Sequence, residues 1–169
     1  KDEKLLAELH SILKDEYIRI YLSNDVKGVE LGGSLKNIIA FCAGILVALE
    51  LGDNSFAALL TRGLTEISRL GVAIGGEHDT FYGLSGLGDL IVTCSSQFSR
   101  NRKAGMLIGQ GKTLEETRKE VGMTIESIEN IDVAYKLGQM YKIDMPIVNA
   151  VYDILYNNLD PKDAVTQLM

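Results

Sequence analysis

The sequence predicts a mainly α domain with a short helix-strand remnant at its front. Three observations carry this. From Asp25 onward the apolar residues recur at helical rather than alternating spacing, and Ser, Thr, Asp, Pro and Gly punctuate those stretches as caps. Only one segment, "YIRIY" (Tyr17–Tyr21), alternates bulky residues as a strand does. A lone strand cannot satisfy its own backbone groups. Residues 1–24 therefore read as the tail of a preceding α/β domain, and residues 25–169 as an all-helical unit. The missing initiator Met and the mid-helix start fit a cut from a longer protein. With 169 residues, 46% of them hydrophobic, the chain can bury a core of its own.

The elements follow in order. Leu5, Leu6, Leu9, Ile12 and Leu13 mark a first helix, and "SND" turns the chain after the strand. The most apolar stretch predicts a helix from about Ser34 to Glu50, stopped by "LGDN". Asn54 is the expected cap of the next helix, whose apolar face uses Phe56, Leu59, Leu60, Leu64 and Ile67 and which ends at Gly71. "GLSGLGDL" reads as a glycine-rich turn and "KAGMLIG" as a short helix. Thr113 with Glu116 forms a capping box. A helix over Ser127–Tyr141 follows, then one opening at Pro146 with Asp144 as cap, and a last one with Asp160 as cap and Pro161 in the first turn.

Composition excludes several functions. The formal net charge is −6 and the basic residues form one short patch, which argues against nucleic acid as the main partner. No window reaches the ~18 uninterrupted apolar residues of a membrane span; "NIIAFCAGILVALEL" is broken by Glu50 and reads as a buried core helix. No G-x-G-x-x-G follows a strand and no phosphate-binding Walker loop occurs, so the chain carries no dinucleotide cradle of its own. Cys42 and Cys94 lack a pairing pattern, which predicts free thiols and a reducing, cytoplasmic setting. His10 and His78 have no neighbours at metal-ligand spacing, so no metal site is expected and both read as surface residues.

Three stretches could carry chemistry. In "LGGSLKNIIA", Lys36 stands at the front of the most apolar helix, behind Gly32 and Gly33. Burial there would disfavour the ammonium and make the amine a proton acceptor near neutral pH; otherwise the side chain snorkels to solvent. In "GLGDLIVTC", Asp89 lies among Leu87, Leu90, Ile91 and Val92, where it either takes a cation such as Lys36 or caps a helix after Gly88. From Leu90 to Leu114 no acidic residue occurs, yet Arg100, Arg102, Lys103 and Lys112 do. "SRNR" sets a hydroxyl, a guanidinium and an amide at a helix start, which favours an anion site over a merely solvated basic loop.

The succession "GVELGGSLKNIIA", "LGDN", "LLTRGLTEISRLG", "GLSGLGDLIVTC", "SRNRK" resembles the C-terminal substrate domain of the bacterial NAD(P)-dependent glycerol-3-phosphate dehydrogenases, from about Asp25 to the end. That resemblance implies a multi-helix domain of the 6-phosphogluconate-dehydrogenase C-terminal type, fronted by the last elements of a Rossmann domain. It implies that Lys36 is the proton acceptor and that Asp89 works with it. Ser99, Arg100 and Asn101 would bind the substrate, with Asn37 and Thr93 as further contacts. Arg100, Thr124 and Glu126 would touch NAD or NADP, the bulk of which the N-terminal domain holds. Here "TIES" replaces the family's V-V-E-G, so Thr124 and Ser127 depart from the pattern on either side of Glu126. Ser34 stands where the family has alanine. The implied reaction interconverts sn-glycerol 3-phosphate and dihydroxyacetone phosphate for glycerophospholipid synthesis, in a cytoplasmic homodimer, with the fragment itself inactive. The rivals are a substrate domain for another hydroxy acid or sugar, and a helical dimerisation module.

Overall fold

The computed structural model describes residues 2–168. Its helices are α1 (Glu3–Leu13), α2 (Val26–Ala48), α3 (Asp53–Ile74), α4 (His78–Tyr82), α5 (Asp89–Ser95), α6 (Arg100–Gly109), α7 (Leu114–Val121), α8 (Glu126–Tyr141), α9 (Pro146–Tyr156) and α10 (Pro161–Leu168), with a π-helical turn over Leu84–Gly88 between α4 and α5. The all-helical unit is as the sequence predicts. The strand is not: no strand occurs among the described residues, and Tyr17–Tyr21 forms no ladder. The physical reason is the one that made the segment suspect, since no second strand is present to pair with it. A tie from His10 Nε2 to the Ile20 carbonyl (3.2 Å) folds the segment back towards α1, none of whose residues is buried. Leu9, Ile12, Leu13, Ile18 and Leu22 all remain exposed.

α2 is the axis of the fold. It is apolar on every side, which suits a helix surrounded by others rather than one lying on a surface. Ile38, Ala40, Phe41 and Ala43 are fully buried, and α3, α5, α6 and α8 pack around them. By length and composition α2 could cross a membrane, but most of that stretch is covered by the other helices. It begins at Val26, well before the predicted Ser34, because Asp25 caps it: Asp25 Oδ1 accepts from the Gly28 N–H at 2.9 Å. Oδ2 accepts from the Glu77 N–H at 2.8 Å, so this buried carboxylate also fixes the chain entering α4. α3 starts at Asp53 with Gly52 as cap, not Asn54, and runs past Gly71 to a left-handed stop at Gly75 (φ 101°).

α6 lies closer to α2 than side chains would allow. Asn101, Gly105 and Gly109 recur every four residues along the α6 face that meets α2. A Cβ on Gly105 would sit 1.8 Å from the Phe41 carbonyl oxygen, and one on Gly44 1.9 Å from that of Arg102. The helices therefore touch backbone to backbone.

The cap of α9 comes from across the fold. Asp144 does not supply it. The Glu66 carboxylate on α3 accepts from the N–H groups of Ile147 (2.8 Å) and Val148 (3.2 Å). Burial dominates over these bonds and pushes Glu66 up from 4.5 to about 7, with Arg62 opposing and Asp144 adding to the rise. Folded protein thus holds a proton on Glu66 that unfolded chain releases from about pH 4.5, so this group's stabilising contribution is complete below that pH and disappears as pH rises through 7. Thermal melts of wild type and Glu66→Gln should show wild type losing ground to the variant by about 1–3 kcal/mol between pH 4.5 and 7. A constant difference across that window would refute the assignment.

Candidate active site

α2 presents Gly32 and Lys36, four residues apart, on one face. At Gly32 the π-helical turn comes so near that a Cβ would lie 3.1 Å from the Ser85 carbonyl. That close approach sets the first residue of α5, Asp89, beside Lys36, and Lys36 Nζ donates to Asp89 Oδ2. Asp89 is no helix cap, because Gly88 already carries helical angles into α5. The Lys36 side chain is 17% exposed and that of Asp89 36%, so the amine does not snorkel freely and the pair lines an opening rather than the core. One turn along α5, the Thr93 hydroxyl donates to the Asp89 carbonyl (2.6 Å), with a longer contact to Oδ1 (3.3 Å).

The next residue on α2 starts a second network. Asn37 Oδ1 accepts from Asn101 Nδ2 at 3.0 Å, while its own amide donates to the Gly33 carbonyl. Asn101 also donates to Glu126 Oε2 (3.1 Å) and accepts from the Ser127 N–H (2.8 Å). Glu126 Oε1 takes Arg100 Nη2 at 2.5 Å. Ser99 is the N-cap of α6, its Oγ accepting from the Arg102 N–H at 3.3 Å. Residues from α2, α5, α6 and the start of α8 thus form a polar seam of two networks, Lys36–Asp89–Thr93 and Asn37–Asn101–Glu126–Arg100, which meet at the neighbouring α2 residues Lys36 and Asn37. Thr124 is exposed in the loop before α8 and makes no side-chain bond within the seam.

The positive island is less positive in space than along the chain. Lys112 pairs with Glu120 on α7, and Lys103 Nζ donates to the Glu120 carbonyl (3.3 Å). The acid missing between Leu90 and Leu114 arrives from Glu120 and Glu126, later in the sequence. Arg102 keeps a buried Nε without a hydrogen-bond partner.

Both cysteines are free and buried, and burial pushes Cys94 up to about 12 and Cys42 higher still, so neither is a thiolate. No group of three or more His, Cys, Asp or Glu side chains placed to hold a metal occurs among the described residues. A cavity of about 330 Å³ between α2, α3, α9 and α10 has a mainly apolar lining and shares no residue with the seam.

Comparison with known proteins gives the family of the chain. The profile of a family described as "NAD-dependent glycerol-3-phosphate dehydrogenase C-terminus" matches residues 25–166. This chain belongs to that family. A glycerol-3-phosphate dehydrogenase [NAD(P)+] from Thermoanaerobacter sp. (strain X514) is 58% identical over 155 residues, which are 92% of this chain and 47% of the relative. One from Staphylococcus haemolyticus is 48% identical over the whole of this chain and 51% of its own. A crystal structure of glycerol-3-phosphate dehydrogenase from Coxiella burnetii superposes with a TM-score of 0.96 at 42% identity, over 99% of this chain and 52% of that one. The chain spans about half the length of the curated relatives it matches.

Proposed function

We propose that this chain is the substrate-binding and proton-transferring part of an NAD(P)-dependent glycerol-3-phosphate dehydrogenase. Residues 25–169 would be the substrate domain and residues 1–24 the end of the nucleotide-binding one. The observation that carries the reading is the seam itself: an amine paired with its carboxylate and, from the next residue of α2, a network through Asn37, Asn101 and Glu126 to a guanidinium at a helix start.

A secondary alcohol loses a proton from oxygen and a hydride from carbon when it is oxidised. Lys36, as the neutral amine, would take the proton from the C2 hydroxyl; in the reducing direction its ammonium would return that proton and offset charge growing on the carbonyl oxygen. Asp89, itself steadied by Thr93, holds the amine in line with that oxygen. Arg100, Asn101 and Ser99 would grip the phosphate, with the positive end of α6 behind them. The nicotinamide, when bound, supplies the two-electron acceptor. A dinucleotide's amide and phosphates need donors and an acceptor, and the partly exposed rim of Arg100, Glu126 and Thr124 carries that set. The family resemblance extends the reading to a cytoplasmic homodimer that supplies phospholipid synthesis.

The test is substrate preference in the full-length polypeptide. Glycerol 3-phosphate should exceed unphosphorylated glycerol by at least about a hundredfold in kcat/KM, the scale expected when a site built for an anion receives a neutral analogue. Comparable turnover of the two alcohols would sink the assignment.

A further inference from the structure

Resting on that reading of Arg100 and Asn101, we propose that Glu126 is a gate: its carboxylate occupies the phosphate-binding groups, and the substrate's phosphate must displace it to bind. Hydrogen-bond accounting at Asn101 carries this. A carboxamide has two N–H donors and a carbonyl. One donor goes to Asn37 Oδ1 (3.0 Å), the other to Glu126 Oε2 (3.1 Å), and the carbonyl accepts from the Ser127 N–H (2.8 Å). Asn101 is 5% exposed, and both donors are taken. It has nothing to offer an anion while Glu126 holds it. The same carboxylate holds Arg100, its Nη2 bound to the other oxygen at 2.5 Å; the remaining guanidinium donors stay available, so the competition at Arg100 is for charge and position rather than for every donor. The two oxygens of Glu126 sit on these residues as two oxygens of a phosphate would.

Glu126 is the member able to leave. Asn101 is pinned from two sides, by α2 through Asn37 and by the α8 backbone through Ser127. The Glu126 side chain is 33% exposed and can rotate into water without moving the backbone it hangs from. Its departure also settles the charge. With Lys36 paired to Asp89 and Arg100 to Glu126, each cation in the seam already has its carboxylate. A phosphate dianion gains the full charge of Arg100 when the Glu126 carboxylate withdraws. Glutamate therefore sharpens selectivity: a neutral polyol cannot compensate Arg100 for the lost ion pair, whereas a phosphate can.

Calorimetry on the full-length polypeptide without cofactor tests this, with inorganic phosphate as the probe. Glu126→Gln should bind phosphate roughly tenfold more tightly than wild type, the scale of one charge-assisted contact no longer in competition. Glu126→Ala, which offers no acceptor at all, should move the same way, and melting curves confirm that both variants fold. Binding within twofold of wild type, or weaker, in both variants overturns the gate. Arg100→Ala separates this from the underlying reading. If Arg100→Ala binds phosphate as wild type does, the phosphate site itself is misplaced and the gate fails with it. If Arg100→Ala loses phosphate while the Glu126 variants gain nothing, the gate alone fails.

Discussion

Lys36→Ala in the full-length polypeptide is expected to lower kcat for glycerol 3-phosphate oxidation by roughly a thousandfold, within the range a positioned general base contributes. The fold should survive. Lys36 sits at the margin of the buried run on α2, its neighbours Leu35 and Ile38 carry the packing, and the Asp89 left behind is open enough to be hydrated. Lys36→Arg sharpens the result. Arginine can keep the pair with Asp89 and the positive charge, but it does not deprotonate at accessible pH. If Lys36 acts by accepting a proton, Lys36→Arg should be nearly as inactive as Lys36→Ala although its melting temperature matches wild type. If Lys36 only neutralises Asp89 or attracts the substrate, Lys36→Arg should recover most of the lost rate. Steady-state kinetics with glycerol 3-phosphate, read beside thermal melts, separates these cases, and a kcat for Lys36→Ala within tenfold of wild type would remove the lysine from the chemistry.

What could be read from sequence alone divides along a physical line. Local signals transferred well. The apolar run of α2, the capping box of Thr113 and Glu116, and Pro146 and Pro161 in first helical turns all depend on residues a few positions apart. The pairing of Lys36 with Asp89 across 53 residues was only one of the readings the sequence left open: a charge in apolar company needs a partner, but capping by Asp89 and snorkelling by Lys36 met that need equally well along the chain. Glu66 gave no such signal. It lies in an ordinary helical pattern, and its partners are backbone N–H groups 81 and 82 residues away, which any sequence offers everywhere. Asp25 was visible as a boundary but not as a residue holding two segments at once. The strand over Tyr17–Tyr21 erred in the opposite way: alternation reports that residues suit a sheet, and says nothing about whether a neighbour exists. Glu120 and Glu126 corrected the positive island for a related reason, since charge balance is a property of volumes and not of windows along a chain.

The same division yields opposite predictions for two glycines. Helix propensity favours alanine over glycine by about 0.5–1 kcal/mol in a helix interior, so propensity alone expects both Gly33→Ala and Gly105→Ala to stabilise the protein. Packing reverses one of them. A Cβ at Gly33 meets nothing within 4 Å, so this variant should gain the propensity term. A Cβ at Gly105 would lie 1.8 Å from the Phe41 carbonyl oxygen, 2.7 Å from its carbonyl carbon and 3.1 Å from its Cα. Those atoms are backbone in the middle of the central helix and cannot rotate aside. α6 must move outward, opening a gap along its seam with α2, and the expected loss is about 3 kcal/mol, the upper part of the range for overpacked cores. For a domain of this size that lowers the melting temperature by roughly 10 °C. The displacement also reaches the site. Asn101 is one turn before Gly105 on the same face, so withdrawing α6 stretches the 3.0 Å bond to Asn37 and draws Arg100 away from the Lys36 end of the seam. Gly105→Ala should therefore weaken phosphate binding as well as stability, although no residue of the polar network is altered. Melting curves of the two variants decide the matter: a Gly105→Ala protein as stable as Gly33→Ala would mean that α2 and α6 do not meet backbone to backbone, and the juxtaposition of Asn37 with Asn101 would then need another cause.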